Sequence, residues 1–414
     1  MHRERADDAR SAWKPRTANF DTSLSRGSGS SPEPLYSWSK LPPEPRPQAS
    51  HIRDLRCRPR YRNPMDQIRI AVDLFSGSGG VTAGLKAAGW NVIAAVDNDP
   101  IAAATYRLNH PEVTFVQESI EASSVANLLS IAINSREVDL LVICAPCQPF
   151  SSQNRLKGKD PRKNLLLKSL ELVPVVNPAL IFFENVPGLA SAGYQYILDA
   201  VRERLTSIGY LMADPIVKDA ADFGVPQRRR RCIMLAAQKK SALEAFASLD
   251  LRQPRRVVQD AIGDLVELEN GGVDPLDPLH AARSHSDLTL QRLRNIPKDG
   301  GSRKSLPVEL RLKCHKEWNV FPDVYGRMSW NSLAPTLTTG CTDVTKGRFA
   351  HPEQDRAITS REAARLQTFD DAYQFTGNRF DVARQIGNAV PPRMIAQLVR
   401  GFEAALGGHS CNVS

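Results

Sequence analysis

The stretch Ile68–Gly80, IRIAVDLFSGSGG, indicates the fold of this chain. Its first half, Ile68 to Phe75, is an apolar run typical of a buried parallel strand. Its second half, Ser76 to Gly80, consists of small residues that allow a sharp turn and a close backbone approach to a ligand. A helix is predicted from about Val81 to Ala88, and its amino terminus offers free N–H groups at this turn.

The next strand is predicted over Asn91–Val96, and it leads into Asp97, Asn98, Asp99 and Pro100. An acidic residue at this place, 17 positions after Gly80, is suited to bind the two hydroxyls of a ribose. The alternative is that Asp97 or Asp99 caps a helix starting at Pro100, and this fits Asp99 better. The glycine-rich turn and this acidic residue together favour an adenosine-type cofactor. Since no Gly-Lys-Ser/Thr follows the turn, it is no phosphate loop.

Strands and helices continue to alternate along the chain. We predict strands over Val113–Val116, Val138–Ile143 and Ala179–Phe183, and helices over about Ser123–Ile133 and Leu165–Val176. This alternation predicts an α/β fold with a doubly wound, Rossmann-like parallel sheet. Such sheets bind their ligands at the carboxyl ends of the strands.

Two chemically active side chains follow strands of this predicted sheet. Cys147, in the segment CAPCQPFS, is a candidate nucleophile, and Glu184 follows the apolar run LIFF, where burial would raise the pKa of its carboxyl. The alternatives are a redox or zinc role for the Cys144/Cys147 pair, although no second pair follows, and a structural role for Cys144. Glu184 could equally be an exposed turn residue.

Two further segments carry distinctive residues. Four arginines, Arg228–Arg231, precede a predicted strand over Cys232–Ala236. Because alternate residues of a strand face opposite sides, Arg229 and Arg231 are expected to share one face. Such a run usually is solvated or binds phosphate. Near the carboxyl end, QIGNAVPP at 385–392 is predicted to open a final helix that packs back on the first element.

Composition restricts the class of protein. The 414 residues suffice for a sizeable core and two folded regions, and seven cysteines without a framework favour a reducing cytosol. We find no export signal and no apolar run of about 18 residues, and expect a soluble cytoplasmic protein. The net charge of +9 is a weak argument for nucleic acid, because residues 1–64 alone carry 13 basic against 7 acidic residues.

Residues 1–64 also hold 9 of the 29 prolines and lack apolar periodicity. They are predicted to be a disordered leader, with Met65 the true or a sufficient start.

Taken in order, the motifs resemble those of the DNA (cytosine-5) methyltransferases of bacterial restriction-modification systems. The resemblance covers about residues 68–405, and the glycine turn alone resembles the first motif of S-adenosylmethionine-dependent methyltransferases. The motifs are Asp73-Leu74-Phe75, Pro146-Cys147-Gln148, Glu184-Asn185-Val186, Gln227 with Arg229 and Arg231, and Gly387-Asn388-Ala389-Val390.

The resemblance implies S-adenosylmethionine as methyl donor, no metal, and a flipped cytosine as the reacting base. Cys147 would add to carbon 6 of that base as a thiolate favoured by Arg229 or Arg231, and Glu184, kept near neutrality, would act at ring nitrogen 3. These four residues are the predicted catalytic set. The predicted cofactor-binding residues are Phe75, Ser76, Gly77, Gly79, Asp97, Asn98, Ser119, Pro146, Leu165, Asn388 and Ala389, with Glu118 as the alternative to Ser119.

The resemblance also implies a domain order. It predicts the leader at 1–64, a catalytic domain at 65–237, a smaller target-recognition domain at 238–327, a return to the catalytic domain at 328–405 and a flexible tail at 406–414. Nine basic residues between 283 and 316 would bind DNA phosphates, and a mobile loop, 153–164, would close over the flipped base.

The predicted partner is double-stranded DNA, bound by a monomer associated with the bacterial nucleoid. A restriction endonuclease acting on the same site would be a functional counterpart without a stable complex. Two alternatives remain: a transfer RNA cytosine-5 methyltransferase, and a catalytically inactive DNA-binding relative. An orphan regulatory methyltransferase is the rival biological role.

Overall fold

A central sheet with helices on both faces organises the chain. The computed structural model describes residues 68–147, 150, 160–312 and 323–407, all within the compact unit 62–414. The predicted leader at 1–64, Met65, most of the predicted loop (153–159) and the residues after 407 lie outside the described residues. No helix in the described part of the chain is both long and apolar enough to cross a membrane.

The amino-terminal half alternates between strands and helices, as predicted. Its elements are β1 (Ile70–Leu74), α1 (Gly80–Ala87), β2 (Asn91–Val96), α2 (Pro100–Asn109), β3 (Thr114–Val116), α3 (Ser124–Ile133), β4 (Leu140–Ile143), α4 (Leu165–Ser169), α5 (Val173–Val176), β5 (Leu180–Asn185) and α6 (Gln195–Ser207).

Short strands and a helical carboxyl-terminal region follow. The elements are β6 (Leu211–Met212), β7 (Ile216–Asp219), β8 (Arg230–Ala237), α7 (Lys240–Ser248), α8 (Val258–Ile262), β9 (Val273–Asp274), β10 (Asp277–Ala281), α9 (Asp287–Arg294), α10 (Ser360–Leu366), α11 (Arg379–Asn388) and α12 (Pro392–Ala405).

The main sheet has the order β3-β2-β1-β4-β5-β8-β6, and β7 also pairs with β8. Strands β1 to β5 are parallel, which confirms the predicted doubly wound sheet. Strand β8 runs antiparallel to β5, and this was not predicted. The segment between β7 and β8 is too short for a helical crossover, so β8 must return beside β7 in the opposite direction.

Apolar clusters lie on both faces of this sheet. One face is covered by α3, α4, α5 and α6, and the other by α1, α7 and α12. Helices α1 and α12 touch at backbone distance, since a Cβ atom at Gly80 would lie 2.5 Å from the Val390 carbonyl oxygen and one at Gly84 would lie 2.4 Å from that of Pro392. The predicted packing of the final helix, α12, on the first helix, α1, is therefore confirmed.

The predicted helix Leu165–Val176 is broken in the structure. A 3-10 turn, Leu170–Leu172, separates α4 from α5. Pro174 has no N–H for the carbonyl of Leu170, so a regular α-helix cannot pass through this segment.

A separate apolar cluster lies in the predicted target-recognition region. It joins Leu293, Ile296 and Leu306 to Val344 and Ala350. Helix α7 instead packs on the sheet side, where the rings of Phe246 and Phe402 stack with centroids 5.8 Å apart. The domain boundaries at 238 and 327 stay predictions. Helix α7 packs with the catalytic sheet, and Val344 belongs to the apolar cluster around Leu293, which we call the recognition cluster.

Candidate active site

The predicted site residues meet at one edge of the main sheet. Strands β2, β1, β4 and β5 are neighbours whose carboxyl ends lead to Asp97, Phe75, Cys147 and Glu184. Because β8 is antiparallel to β5, its amino end lies at the same edge and carries Arg231. The unpredicted direction of β8 is thus what brings an arginine to the carboxylate.

The glycine turn after β1 has an unusual backbone. Phe75 has φ 59° and Gly79 has φ 91°, both in the left-handed region. A Cβ atom at Gly79 would lie 2.6 Å from the Tyr373 hydroxyl and 2.7 Å from Nε2 of His110, so only glycine fits. Tyr373 also donates a hydrogen bond to the Ser78 carbonyl at 2.5 Å. Tyr373, from the carboxyl-terminal region, therefore packs against the turn and stabilises it.

Asp97 joins the turn to the end of β2. Its carboxylate accepts hydrogen bonds from the Gly77 N–H at 2.8 Å and from the Asp99 N–H at 2.9 Å. Burial raises the pKa of Asp97. Asp99 caps α2 by accepting from the N–H groups of Ile101 and Ala102, which confirms the interpretation that Asp99 is the cap. A carboxylate can accept about four hydrogen bonds, so Asp97 retains capacity for ligand hydroxyls.

Asp73 lies fully buried below the turn. Its carboxyl accepts a hydrogen bond from the Thr82 hydroxyl at 2.9 Å, and that hydroxyl is 2.8 Å from the Tyr106 hydroxyl. Burial raises the pKa of Asp73 to about 7. In the described part of the chain, its Oδ1 atom has no hydrogen-bond partner.

The turn and its neighbours fit an adenosine-type ligand with a charged tail. The buried Ser78 hydroxyl has no partner among the described residues, and Asp97 has spare acceptor capacity. The first turn of α1 adds N–H groups that no helical carbonyl can accept. The final turn, Gly387–Ala389, is close by, because a Cβ atom at Gly80 would lie 3.3 Å from that of Ala389.

The predicted cofactor residues differ in exposure. Ser76 and Gly79 are buried, and Asn98 and Asn388 are exposed; Phe75, Gly77, Asp97, Ser119, Pro146, Leu165 and Ala389 are half-buried. Leu165 packs against the hydrophobic core. Glu118 is exposed beside half-buried Ser119, and the choice between the two stays open.

The turn that carries Cys147 is held by the segment after β5. Phe150 donates its N–H to the Cys147 carbonyl at 3.1 Å. Gly188 packs so closely on this turn that a Cβ atom there would lie 2.0 Å from the Phe150 carbonyl oxygen. The Asn185 amide donates to the Ala145 carbonyl at 3.1 Å. Asn185 at the end of β5 and Gly188 just after it therefore hold the backbone on the two sides of Cys147.

Glu184 forms a buried ion pair with Arg231. The Nε atom of Arg231 lies 2.7 Å from Oε1 of Glu184, with 9% and 8% of the two side chains exposed. The sequence predicted a carboxyl desolvated by apolar neighbours. Because β8 returns antiparallel, the structure instead gives Glu184 a guanidinium partner.

Cys147 is a free, half-buried thiol near this pair. Burial, and then the charge of Glu184, raise its pKa, while Arg231 and Arg229 act in the opposite direction. Each arginine acts in the direction expected of Arg229 or Arg231, toward the thiolate. Burial and Glu184 together outweigh the two arginines, so the pKa of the thiol is raised. Cys144 is also free, and burial raises its pKa well above the usual range.

Arg229 is buried, and its guanidinium contacts backbone carbonyls. It donates to Leu337 at 3.2 Å, to Gly387 at 3.1 Å and to Ala389 at 2.8 Å. Burial, and then the charge of Arg231, lower the pKa of Arg229 to about 9. Arg228 and Arg230 are exposed, so the predicted alternation of the four arginines is confirmed.

Two polar residues near the site were not predicted to belong to it. Tyr373 supports the glycine turn, and Gln367 is completely buried beside the final turn. Neither stands in a motif, and a glutamine after the helix sequence SREAARL would be interpreted as a helix end. No signal in the sequence could have identified them, because their partners are distant along the chain.

Comparison with known proteins identifies the family. Residues 70–403 match the model of the C-5 cytosine-specific DNA methylases. The chain is 37% identical over 341 residues to the Type II methylase M.HgiDII of Herpetosiphon aurantiacus, covering 80% of this chain and 95% of that protein. It is 33% identical over 358 residues to the Type II methyltransferase M.XorII of Xanthomonas oryzae, covering 80% and 84%.

The fold has solved counterparts. The structure of a prophage-encoded DNA modification methyltransferase from E. coli superposes with a TM-score of 0.64 at 24% identity, covering 82% of this chain and 99% of that one. Fold, family match and sequence identity agree. The chain therefore belongs to the C-5 cytosine-specific DNA methylases, and it is an S-adenosylmethionine-dependent DNA cytosine-5 methyltransferase.

Proposed function

We propose that Cys147 is the nucleophile that activates the target cytosine. The observation that carries this proposal is the placement of a free cysteine at the sheet edge that also carries the buried Glu184–Arg231 ion pair and the glycine turn. A nucleophile, a carboxyl group and a cation in one place are the groups that addition to a pyrimidine ring requires.

The proposed substrate is a cytosine flipped out of duplex DNA. Carbon 6 of a stacked base is inaccessible to a thiol at a sheet edge, and flipping costs roughly a few kcal/mol. The region 238–327 is the proposed target-recognition domain, reading base edges while its lysines and arginines bind phosphates. The second half of this region shares a separate apolar cluster, around Leu293 and Val344, with residues after its predicted end at 327.

The glycine turn and its neighbours are the proposed binding site of S-adenosylmethionine, which supplies the methyl group. Asp97 would accept the ribose hydroxyls and Phe75 would lie against the adenine. The other predicted cofactor residues surround these two from the neighbouring loops and the final turn: Ser76, Gly77, Gly79, Asn98, Ser119, Pro146, Leu165, Asn388 and Ala389.

The first step proposed for the chain's own residues is addition. The Cys147 sulfur donates an electron pair to carbon 6, and the ring becomes an enamine with negative charge delocalised toward nitrogen 3. Glu184 would hold at nitrogen 3 a proton that is taken up from solvent as the base binds, and Arg231 would orient the carboxyl through the ion pair. Arg229 would act on the thiol through its charge, since both of its terminal nitrogens donate to backbone carbonyls. Its buried Nε has no hydrogen-bond partner among the described residues.

The last step is elimination. A base, which can be water, takes the proton from carbon 5, and the electron pair of that bond restores the ring double bond as the Cys147 sulfur leaves. The cysteine is regenerated unchanged. Buried side chains around Cys147 would limit access of water to the reacting ring.

The proposed biological role is the modification half of a bacterial restriction-modification system. Its support is the similarity to M.HgiDII and M.XorII, both described as Type II enzymes. The chain would act as a cytoplasmic monomer on chromosomal DNA, and a restriction endonuclease would recognise the same sequence without forming a stable complex with it.

Bisulfite sequencing tests the proposal. Plasmid DNA from cells that express the chain is compared with DNA from cells that express Cys147→Ser at the same level. We expect one short sequence to carry protected cytosines only with the unmodified chain.

If both chains protect the same cytosines, Cys147 is not the nucleophile. If neither protects any, the DNA substrate is wrong, and transfer RNA is the next substrate to assay.

A further inference from the structure

Four buried residues and the half-buried Ala389 form a closed ring of hydrogen bonds beside the proposed cofactor site. The Leu337 N–H donates to Gln227 Oε1 at 3.0 Å, and Gln227 Nε2 donates to Gln367 Oε1 at 2.5 Å. Gln367 Nε2 then donates to the Ala389 carbonyl at 2.6 Å. Arg229 closes the ring by donating to the carbonyls of Ala389 at 2.8 Å and Leu337 at 3.2 Å.

The direction of this ring is fixed by its ends. The Leu337 N–H can only donate, so Gln227 must present its oxygen there and its NH₂ group to Gln367. The Ala389 carbonyl can only accept, so Gln367 must present its NH₂ group there and its oxygen to Gln227. Gln367 is fully buried, and no residue other than glutamine or asparagine can both accept and donate through one planar amide at this place.

The ring joins four distant segments of the chain. Gln227 and Arg229 precede β8, Leu337 follows the predicted recognition region, Gln367 follows α10, and Ala389 follows α11. These segments are in direct contact, since a Cβ atom at Gly387 would lie 2.4 Å from the Thr338 carbonyl carbon. The final turn therefore has its position set by the ring.

We propose that Gln367 is a positioning residue for methyl-donor binding, acting through the final turn, Gly387–Ala389. Asn388 is exposed, and the structure fixes the backbone on both sides of it through the hydrogen bonds to Gly387 and Ala389. Because Ala389 lies against Gly80 of the glycine turn, displacement of the final turn would open the cofactor site. This inference rests on the proposed cofactor site.

Two substitutions test the ring, and a third is the matched control. Gln367→Leu keeps the size of the side chain and removes both hydrogen bonds. Gln367→Glu keeps an acceptor for Gln227 but cannot donate to the Ala389 carbonyl while ionised. The control, Gln385→Leu, removes another buried glutamine whose amide donates to the Thr376 carbonyl at 2.8 Å, outside the ring.

The dissociation constant of S-adenosylhomocysteine is measured by calorimetry on the full chain. The KM for S-adenosylmethionine, the KM for DNA and kcat are measured with methyl transfer. We expect both Gln367 variants to raise the dissociation constant and the KM for S-adenosylmethionine about tenfold, with kcat and the KM for DNA within about twofold of the unmodified chain. Gln385→Leu should lower the melting temperature similarly and leave cofactor binding unchanged.

Unchanged cofactor binding in Gln367→Leu, with a melting temperature lowered as in the control, would show that Gln367 is merely structural. Recovery of normal binding in Gln367→Glu would also overturn the proposal, since the bond to Ala389 would then be dispensable. Failure of the unmodified chain to bind S-adenosylhomocysteine would contradict the proposed cofactor site itself. If the unmodified chain binds S-adenosylhomocysteine and both Gln367 variants bind it equally well, only the role of Gln367 is refuted.

Discussion

At the scale of single residues, the environment of Cys147 determines how the reaction should depend on pH. Burial and the charge of Glu184 raise the pKa of the thiol, so the thiolate is a minor form near neutrality. We expect kcat/KM for DNA to rise with pH by up to tenfold per unit between about pH 7 and pH 9. Initial rates in buffers of constant ionic strength measure this slope.

The same experiment with Arg231→Gln tests the cause. Arg231 lowers the pKa of Cys147, so in the variant the rise of kcat/KM should shift to higher pH. A rate that is already constant below pH 7.5 in the unmodified chain would contradict the expected thiol environment.

Asp73 should make stability depend on pH. Its pKa is about 7 in the folded chain against 3.8 as the ordinary value, so between these values the folded state binds a proton that the unfolded state lacks. The free energy of unfolding should therefore fall as pH rises, by roughly 2–3 kcal/mol between pH 5 and pH 8 from this residue alone. Urea unfolding of the unmodified chain and of Asp73→Asn at both pH values measures the difference. Equal pH dependence in the two chains would show that Asp73 ionises normally.

Much of the site could be predicted at this scale, and the remainder could not for a physical reason. Cys147, Glu184 and Arg231 follow or begin strands, so the sheet brings them to one edge. Gln367 bonds to Gln227 and Tyr373 bonds to Ser78, each more than a hundred positions away along the chain. No local pattern encodes such pairings, because they depend on how the whole chain packs.

At the scale of structural elements, Gly188 fixes the turn that carries the nucleophile. A methyl group there would lie 2.0 Å from the Phe150 carbonyl oxygen, so Gly188→Ala must displace either the Cys147 turn or the segment after β5. We expect kcat/KM to fall at least tenfold, with a loss of stability of about 1–3 kcal/mol. Gly193→Ala is the matched control, because a methyl group there meets nothing within 4 Å. Equal activity of the two variants would show that the turn does not need this contact.

The elements themselves were largely predictable from hydrophobic runs. Strand β2 and the start of α2 occur where the sequence placed them, with Asp99 as the cap. The break at Pro174 and the antiparallel direction of β8 were not predicted. The break depends on the missing N–H of Pro174, and the direction of β8 depends on the short connection from β7. Apolar periodicity reports neither feature.

At the scale of the whole molecule, the methylase match begins at residue 70, where β1 starts. We propose that a chain starting at Met65 keeps full activity, because the sheet, the proposed cofactor site and the recognition cluster all lie after it. Its kcat/KM for DNA should be within about twofold of the full-length value at equal salt. A larger loss would assign residues 1–64 a part in DNA binding or catalysis.

The most direct test of the central claim is covalent trapping on duplex DNA that contains 5-fluorocytosine in the sequence found by bisulfite sequencing. Fluorine at carbon 5 cannot leave as a proton does, so the adduct with Cys147 should persist after methyl transfer. We expect a denaturation-stable complex with S-adenosylmethionine, with the DNA attached to the peptide containing Cys147, and none with Cys147→Ser. An adduct on another cysteine, or one formed equally by Cys147→Ser, would contradict the assignment of Cys147 as the nucleophile.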